Sequence, residues 1–226
     1  MRGMAPPRRG SGGPALRPPL RAVLAGVAIA AFLGVLVWVK VDGMRQQPSA
    51  ATTSPLRARI VSLAQGQVGY HTTPSDTLCN TFSAYWGSGQ ADCGPGNLDE
   101  EWCADFAAWA WRQAGAQVVY GNADGDLNGA AVSFYRWGVV HGTWHTAGSG
   151  YTPQPGDVAV YGLNRSGTVA QHVAIVTGYQ PGARGPDVIN GNGSRTGYSV
   201  VEAGQDQYQA DVHGTGGALA GYASPS

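Results

Sequence analysis

Apolar residues divide the 226-residue chain into regions of different character. From Ala22 to Val39, "AVLAGVAIAAFLGVLVWV" carries no charge and no strongly polar group. As a helix this run would be roughly 27 Å long, enough to cross a bilayer core with little tilt. Further on, the pattern becomes periodic. Leu56, Ile60, Leu63 and Ala64 recur at helical spacing in "LRARIVSLAQGQVG", which Gly66 or Gly69 closes. "EEWCADFAAWAWRQAG" is a second predicted helix, ended by Gly115. Asn97 followed by Glu100 fits a capping box, so this helix is expected to begin at Leu98, with Asp99 as the alternative cap. "AAVSFYRWG" (130 to 138) is a third. Then the period changes. "GDVAVYG", "HVAIVTGY", "DVIN" and "YSVVEAG" are short, β-branched and separated by Gly, Pro and Asn, and they read as strands. Helices first and strands after predict an α+β domain with helices packed on a small antiparallel sheet.

Charge refines this picture. The formal net charge is zero, but it is unevenly spread. Seven basic residues and one acid precede Pro48; seven basic residues and thirteen acids follow it. Arg2, Arg8, Arg9, Arg17 and Arg21 lie ahead of the apolar run, while Lys40, Asp42 and Arg45 follow it. This asymmetry puts the N-terminus in the cytoplasm and the body outside. The expected organisation is a disordered basic cytoplasmic tail (1–21), a transmembrane signal anchor (22–41) and a flexible linker (42–55). An extracellular domain (56–226) follows. A cleaved signal peptide is the alternative, with small residues at "PSAA" (48 to 51). The mildly acidic body has no basic stripe, which sets nucleic-acid binding aside.

Three cysteines cannot all pair. Outside the cytoplasm, paired thiols tend to oxidise. Cys79 and Cys93 bound the turn-rich stretch "CNTFSAYWGSGQADC" and are predicted to form a disulfide that closes it. Cys103 then remains as a free thiol. A zinc site does not fit, because there is no Cys-x-x-Cys. "DGDLNG" (124 to 129) looks like the start of a calcium loop, but Tyr135 stands where the closing Glu belongs, so a polar turn is the reading. No cofactor is expected.

Near a helix start, Cys103 would meet unsatisfied N–H groups and a dipole that favour a thiolate, with Glu100 and Glu101 opposing. Packing as a small hydrophobe is the plain alternative. A nucleophile needs a base. Of five histidines, His71, His141, His145 and His213 sit in loop-like stretches, whereas His172 opens a strand. "QPGARGP" would turn that strand back through "DVINGN", where Val188, Asn190 and Asn192 share a face. A register that puts His172 and Asn190 on one face gives a thiol–imidazole–amide set, and a one-residue slip breaks it. The backbone N–H of Cys103 is the simplest oxyanion donor; Asn80 and Asn97 are side-chain candidates.

"WCADFAAWAWRQAG", "PGDVAVYG", "HVAIVTGY" and "VINGN", in that order, resemble the CHAP family, the cysteine, histidine-dependent amidohydrolases/peptidases. The resemblance runs from about Ile60 to Pro225. NlpC-type relatives usually place Asp before the cysteine and Ser-Gly after it, whereas Trp102 and Ala104 stand here, which favours CHAP. The resemblance implies a papain-like α+β fold, Cys103 as nucleophile, His172 as base, and Asn190 and Asn192 as the polar residues beyond it. The family often has Glu where Asn190 stands, so His172 here lacks an anionic partner from that position. The implied activity is cleavage of an amide in peptidoglycan, as an N-acetylmuramoyl-L-alanine amidase or a stem endopeptidase, by an enzyme held on the membrane through one helix. Two alternatives stand beside it: a non-catalytic wall-binding or scaffold module, and cysteine acyl chemistry on a protein substrate in a secretion system.

Overall fold

The computed structural model describes residues 53–98, 101–183, 185–193, 199–205 and 217–226. The expected tail, the apolar span and most of the linker therefore lie outside the described residues. Among the described residues no helix is long and apolar enough to cross a membrane. The residues from Thr53 onward belong to a single contact unit, Thr52–Ser226.

Four helices pack on one sheet. Helix α1 (Pro55–Gln65) starts at Ser54, whose hydroxyl accepts from the Arg57 N–H, and has a proline in its first turn. These are start signals with a physical cause, since each deals with an N–H that has no helical acceptor. Helix α1 ends at Gly66 and buries Ile60 and Ala64. Helix α2 (Thr81–Trp86) was not expected from the sequence. It is six residues long, too short to show a period, and the Asn80 side chain builds it by accepting from the N–H groups of Phe82 (3.0 Å) and Ser83 (2.8 Å). Helix α3 (Cys103–Ala114) ends at Gly115, whose φ of 105° a side chain would resist. Helix α4 spans Val132–Val140.

Helix α3 begins five residues later than the capping box predicted. Trp102 is its N-cap and makes no side-chain cap bond. The chain ahead of it is committed elsewhere. The Asn97 carbonyl accepts from the Leu78 N–H at 2.8 Å, and the Trp102 indole donates to the Ser199 hydroxyl at 2.7 Å. Tertiary partners thus outweigh the local capping signal.

The strands are β1 (Trp144–Thr146), β2 (Val158–Tyr161), β3 (His172–Gly178), β4 (Asp187–Gly193), β5 (Val200–Gln205) and β6 (Leu219–Ala223). They form one antiparallel sheet in the order β1-β6-β2-β3-β4-β5. Strands β1 and β6 escaped the sequence reading, one for its three residues and the other for its Ala- and Gly-rich "LAGYA". Alternation along the central strands makes two faces. Val158, Val160, Val173, Ile175 and Ile189 join Ile60, Trp102, Phe106, Trp111 and Phe134 in the core beneath the helices. Ala159, Tyr161, Ala174, Val176, Val188 and Tyr222 form a second cluster on the other face.

Two features fix how the helical layer meets the sheet. Asp157, fully buried at the start of β2, accepts from Arg57 Nη1 (2.6 Å), Tyr151 Oη (2.7 Å), Ser224 Oγ (2.7 Å) and the Gln154 N–H (2.8 Å). A buried carboxylate survives only with such a full set of donors. At Gly191, an added Cβ would lie 2.6 Å from Trp102 Cζ3 and 2.8 Å from Phe106 Cβ. The missing side chain lets β4 run against the first turn of α3, which carries the free thiol.

Candidate active site

Cys103 is the first residue of α3, is 4% exposed and is the free cysteine; Cys79 and Cys93 form a disulfide. The first intrahelical bond runs from the Phe106 N–H to the Trp102 carbonyl, at 3.0 Å. The N–H groups of Cys103, Ala104 and Asp105 therefore precede any helical acceptor. The N–H of Ala104 approaches the Cys103 sulfur, and so does that of Val173 on β3. Val173 is bonded directly to His172. The thiol therefore sits at the peptide group that joins the candidate base to the rest of its strand.

His172 opens β3, is buried, and pairs in register with Tyr161 of β2. The β3–β4 register pairs Ile175 with Ile189, which puts residues 172 and 190 on one face. His172 Nε2 lies 3.2 Å from Asn190 Oδ1. An amide oxygen only accepts, so this contact assigns the proton to Nε2 and leaves Nδ1 as the basic nitrogen. Asn190 is itself oriented, because its Nδ2 donates to the Glu202 carbonyl on β5. The imidazole and the carboxamide are thus brought together in the register that the chemistry requires.

Asn192 has a different set of contacts. It alone among the described non-glycine residues has a positive φ, 58°. The β4–β5 register shifts between Asn190 and Gly193. Its Nδ2 donates to the Glu101 carboxylate, and its Oδ1 accepts from Ser199 Oγ at 2.6 Å. Ser199 Oγ in turn accepts from Trp102 Nε1. This chain of donors and acceptors clamps Glu101 and Trp102, the two residues ahead of the thiol. Asn80, a candidate oxyanion donor, spends its side-chain oxygen on capping α2 and its NH₂ group on the Leu78 carbonyl and Ser83 Oγ.

Electrostatics oppose the thiolate that a helix start favours. Burial above all pushes the Cys103 thiol up to about 12, and the charges of Glu101 and Asp105 add to it. The N–H groups of Val173 and Ala104 pull the other way and lose. In its resting state the sulfur is protonated, so any attack requires a base to remove that proton during the reaction.

Sequence reasoning missed Ser199, Glu202 and Asp105. Glu202 acts through the pairing of β4 with β5, and Ser199 through side-chain bonds to Trp102 and Asn192, and no local pattern announces either. Asp105 did leave a signal, an acid inside an otherwise apolar helix. It is 1% exposed, and its carboxylate accepts from Ser83 Oγ (2.6 Å), Ser88 Oγ (2.9 Å) and Tyr120 Oη.

A free thiol at a helix start, against a strand that bears an imidazole oriented by an amide, on an antiparallel sheet, is a plan shared by many cysteine hydrolases. Residues 94–192 match the family model of the CHAP domain. Members of that family are typically cysteine-dependent hydrolases of peptidoglycan. Two solved structures are similar in part. NlpC1 from Trichomonas vaginalis is 15% identical with a TM-score of 0.40, over 77% of this chain and 46% of that one. NlpC2 from the same organism is 13% identical with a TM-score of 0.39, over 78% and 48%. The chain thus spans about half the length of either. No curated protein matches it. The matched stretch contains Cys103, His172, Asn190 and Asn192, and stops short of Ser199 and Glu202. The Cys79–Cys93 disulfide is a feature of oxidising compartments outside the cytoplasm.

Proposed function

We propose that this chain is a membrane-anchored, extracellular peptidoglycan hydrolase that cleaves an amide with Cys103, His172 and Asn190. Residues 1–21 are its cytoplasmic tail, 22–41 its anchor, 42–55 its tether and 56–226 its catalytic body. The bond cut is either the sugar–peptide amide or one within the stem peptide. The observation that carries the reading is the His172 Nε2 to Asn190 Oδ1 contact at 3.2 Å, on the strand whose next N–H meets the Cys103 sulfur.

The steps follow from the geometry. Nδ1 of His172 takes the thiol proton as sulfur attacks the carbonyl carbon. The N–H of Cys103, ahead of the helical ladder, faces the developing oxyanion. His172 then gives the proton to the leaving amine, and a thioester remains. Water, deprotonated by the same nitrogen, hydrolyses the thioester and restores the thiol. Asn190 keeps Nε2–H pointed away from the sulfur throughout. Asn192 and Ser199 act one step back, by holding the two residues that precede the nucleophile.

The burial and high proton affinity of the thiol favour the second reading, a non-catalytic wall-binding module. One assay separates the two. The full chain in detergent is incubated with purified cell walls, and released fragments are weighed by mass spectrometry. Fragments with a newly exposed stem N-terminus, absent with Cys103→Ala, are expected of the amidase, and shorter stems of the endopeptidase. Binding to walls with no fragment released would leave only the scaffold.

A further inference from the structure

We infer that the cavity between the disulfide-closed loop and the turn at residues 120–130 is a subsite for an N-acetylated sugar of the glycan strand. The inference rests on the peptidoglycan reading above and adds to it where the sugar sits. The cavity holds about 570 Å³ and is lined by Trp86, Ser88, Tyr120, Asn122, Asn128 and Gly129, among others. That volume lies within the range of small-ligand sites.

The lining has the chemistry of a sugar site. Trp86 and Tyr120 stack with ring centroids 4.2 Å apart and planes 7° from parallel. Tyr85, 48% exposed, meets Trp86 edge-on at 4.8 Å. One face of each ring is spent on the other, so it is the outer face that can meet the weakly positive C–H groups of a pyranose. Asn122 adds an amide, which suits hydroxyl and acetamide groups, while the Asn128 amide holds the turn through the Gly121 carbonyl and the Ala130 N–H. The nearby charges are already occupied. Asp105 beneath the cavity accepts from Ser83, Ser88 and Tyr120, and Asp126 accepts from the Ala123 N–H at 3.0 Å. A stem peptide, with its carboxylates, would find no cation in this lining and would be desolvated at a cost. A neutral sugar meets no such cost.

Both walls are rigid, so little ordering is needed on binding. The wall with Trp86 and Ser88 lies inside the Cys79–Cys93 loop, and Trp86 Nε1 donates to the Asp105 carbonyl at 3.1 Å. The other wall is held by Gly121 N–H to Leu127 O (2.9 Å), Leu127 N–H to Val119 O (3.0 Å) and the Tyr120 hydroxyl on Asp105. This turn contains "DGDLNG", so its acidic and amide residues shape a cavity wall. Asp105, whose carboxylate accepts from Ser88 and Tyr120 of the lining, lies on helix α3 two residues beyond Cys103, about 200° round the axis from it.

The test uses the full-length Cys103→Ala chain in detergent, titrated calorimetrically with the N-acetylglucosamine tetramer and, separately, with a free stem pentapeptide. The tetramer is expected to bind. Asn122→Ala, an exposed change that leaves the fold alone, is expected to weaken it by about five- to tenfold, as for one lost hydrogen bond. Trp86→Ala is expected to abolish it. Wall hydrolysis by the wild type is measured in parallel. No tetramer binding, or equal binding by parent and both variants, overturns the subsite. If wall hydrolysis continues in that case, the hydrolase reading stands without it. Tetramer binding lost in the variants, with no wall hydrolysis by the wild type, upholds the subsite and removes the hydrolase reading instead.

Discussion

If His172 deprotonates Cys103, removing the imidazole should change how the thiol responds to pH. The proton affinity of the buried sulfur, near 12, sets the scale. At pH 7.5 such a thiol is ionised to about 3 parts in 100,000, against about one part in ten for an ordinary cysteine. Higher basicity makes each thiolate more reactive; a Brønsted slope near 0.45 over about 3.5 units returns roughly 40-fold. The net expectation for His172→Ala is alkylation about 80-fold slower than at an ordinary thiol, rising about tenfold per pH unit through pH 10. In the wild type, neutral imidazole removes the proton as the sulfur attacks. Its alkylation should therefore rise as the imidazole loses its proton and then level off. At pH 7.5 it should exceed the variant by about 10²-fold, the lower bound for general-base assistance. The assay is stopped-time iodoacetamide labelling of the full chain, with adducts at Cys103 quantified by peptide mass. Cys103 is 4% exposed, and deleting the imidazole can only open access to it, so slower labelling of the variant cannot be a steric effect. Equal rates and equal slopes in the two proteins would refute proton transfer to His172.

The other predictions concern stability and positioning. Ionising Cys103 is unfavourable only in the folded chain, so stability is complete below about pH 8.5 and falls as pH rises towards 12, by up to about 5 kcal/mol; Cys103→Ala should remove that slope in urea titrations. Asp157→Ala leaves Arg57 facing a buried void and is expected to cost about 3–5 kcal/mol, read from the urea midpoint. Gly191→Ala drives a methyl group into Trp102 and Phe106 and should cost about 1–3 kcal/mol, with a loss of wall hydrolysis that exceeds the unfolded fraction. Ser199→Ala breaks the link between Trp102 and Asn192, so kcat should fall while KM holds; an unchanged kcat would make that network purely structural.

Local pattern on its own was enough to identify the class of fold and the chemistry on offer. The change from helical to strand periodicity near residue 140 carried the α+β order. Odd cysteine arithmetic singled out Cys103 and paired Cys79 with Cys93, as the structure has them. These features depend on residues close together in the chain, where spacing and composition act directly. Tertiary structure decided the rest. α3 starts at Cys103 and not at Leu98, and the Leu78 N–H, distant in sequence, takes up the Asn97 carbonyl that a helix from Leu98 would have used. The register that sets His172 beside Asn190 comes from pairing across a hairpin, and either of two registers was compatible with the sequence alone. The protonated resting thiol is likewise a product of packing. A helix start pulls a thiol towards ionisation, but the desolvation imposed by a whole core is larger, and no local stretch encodes it.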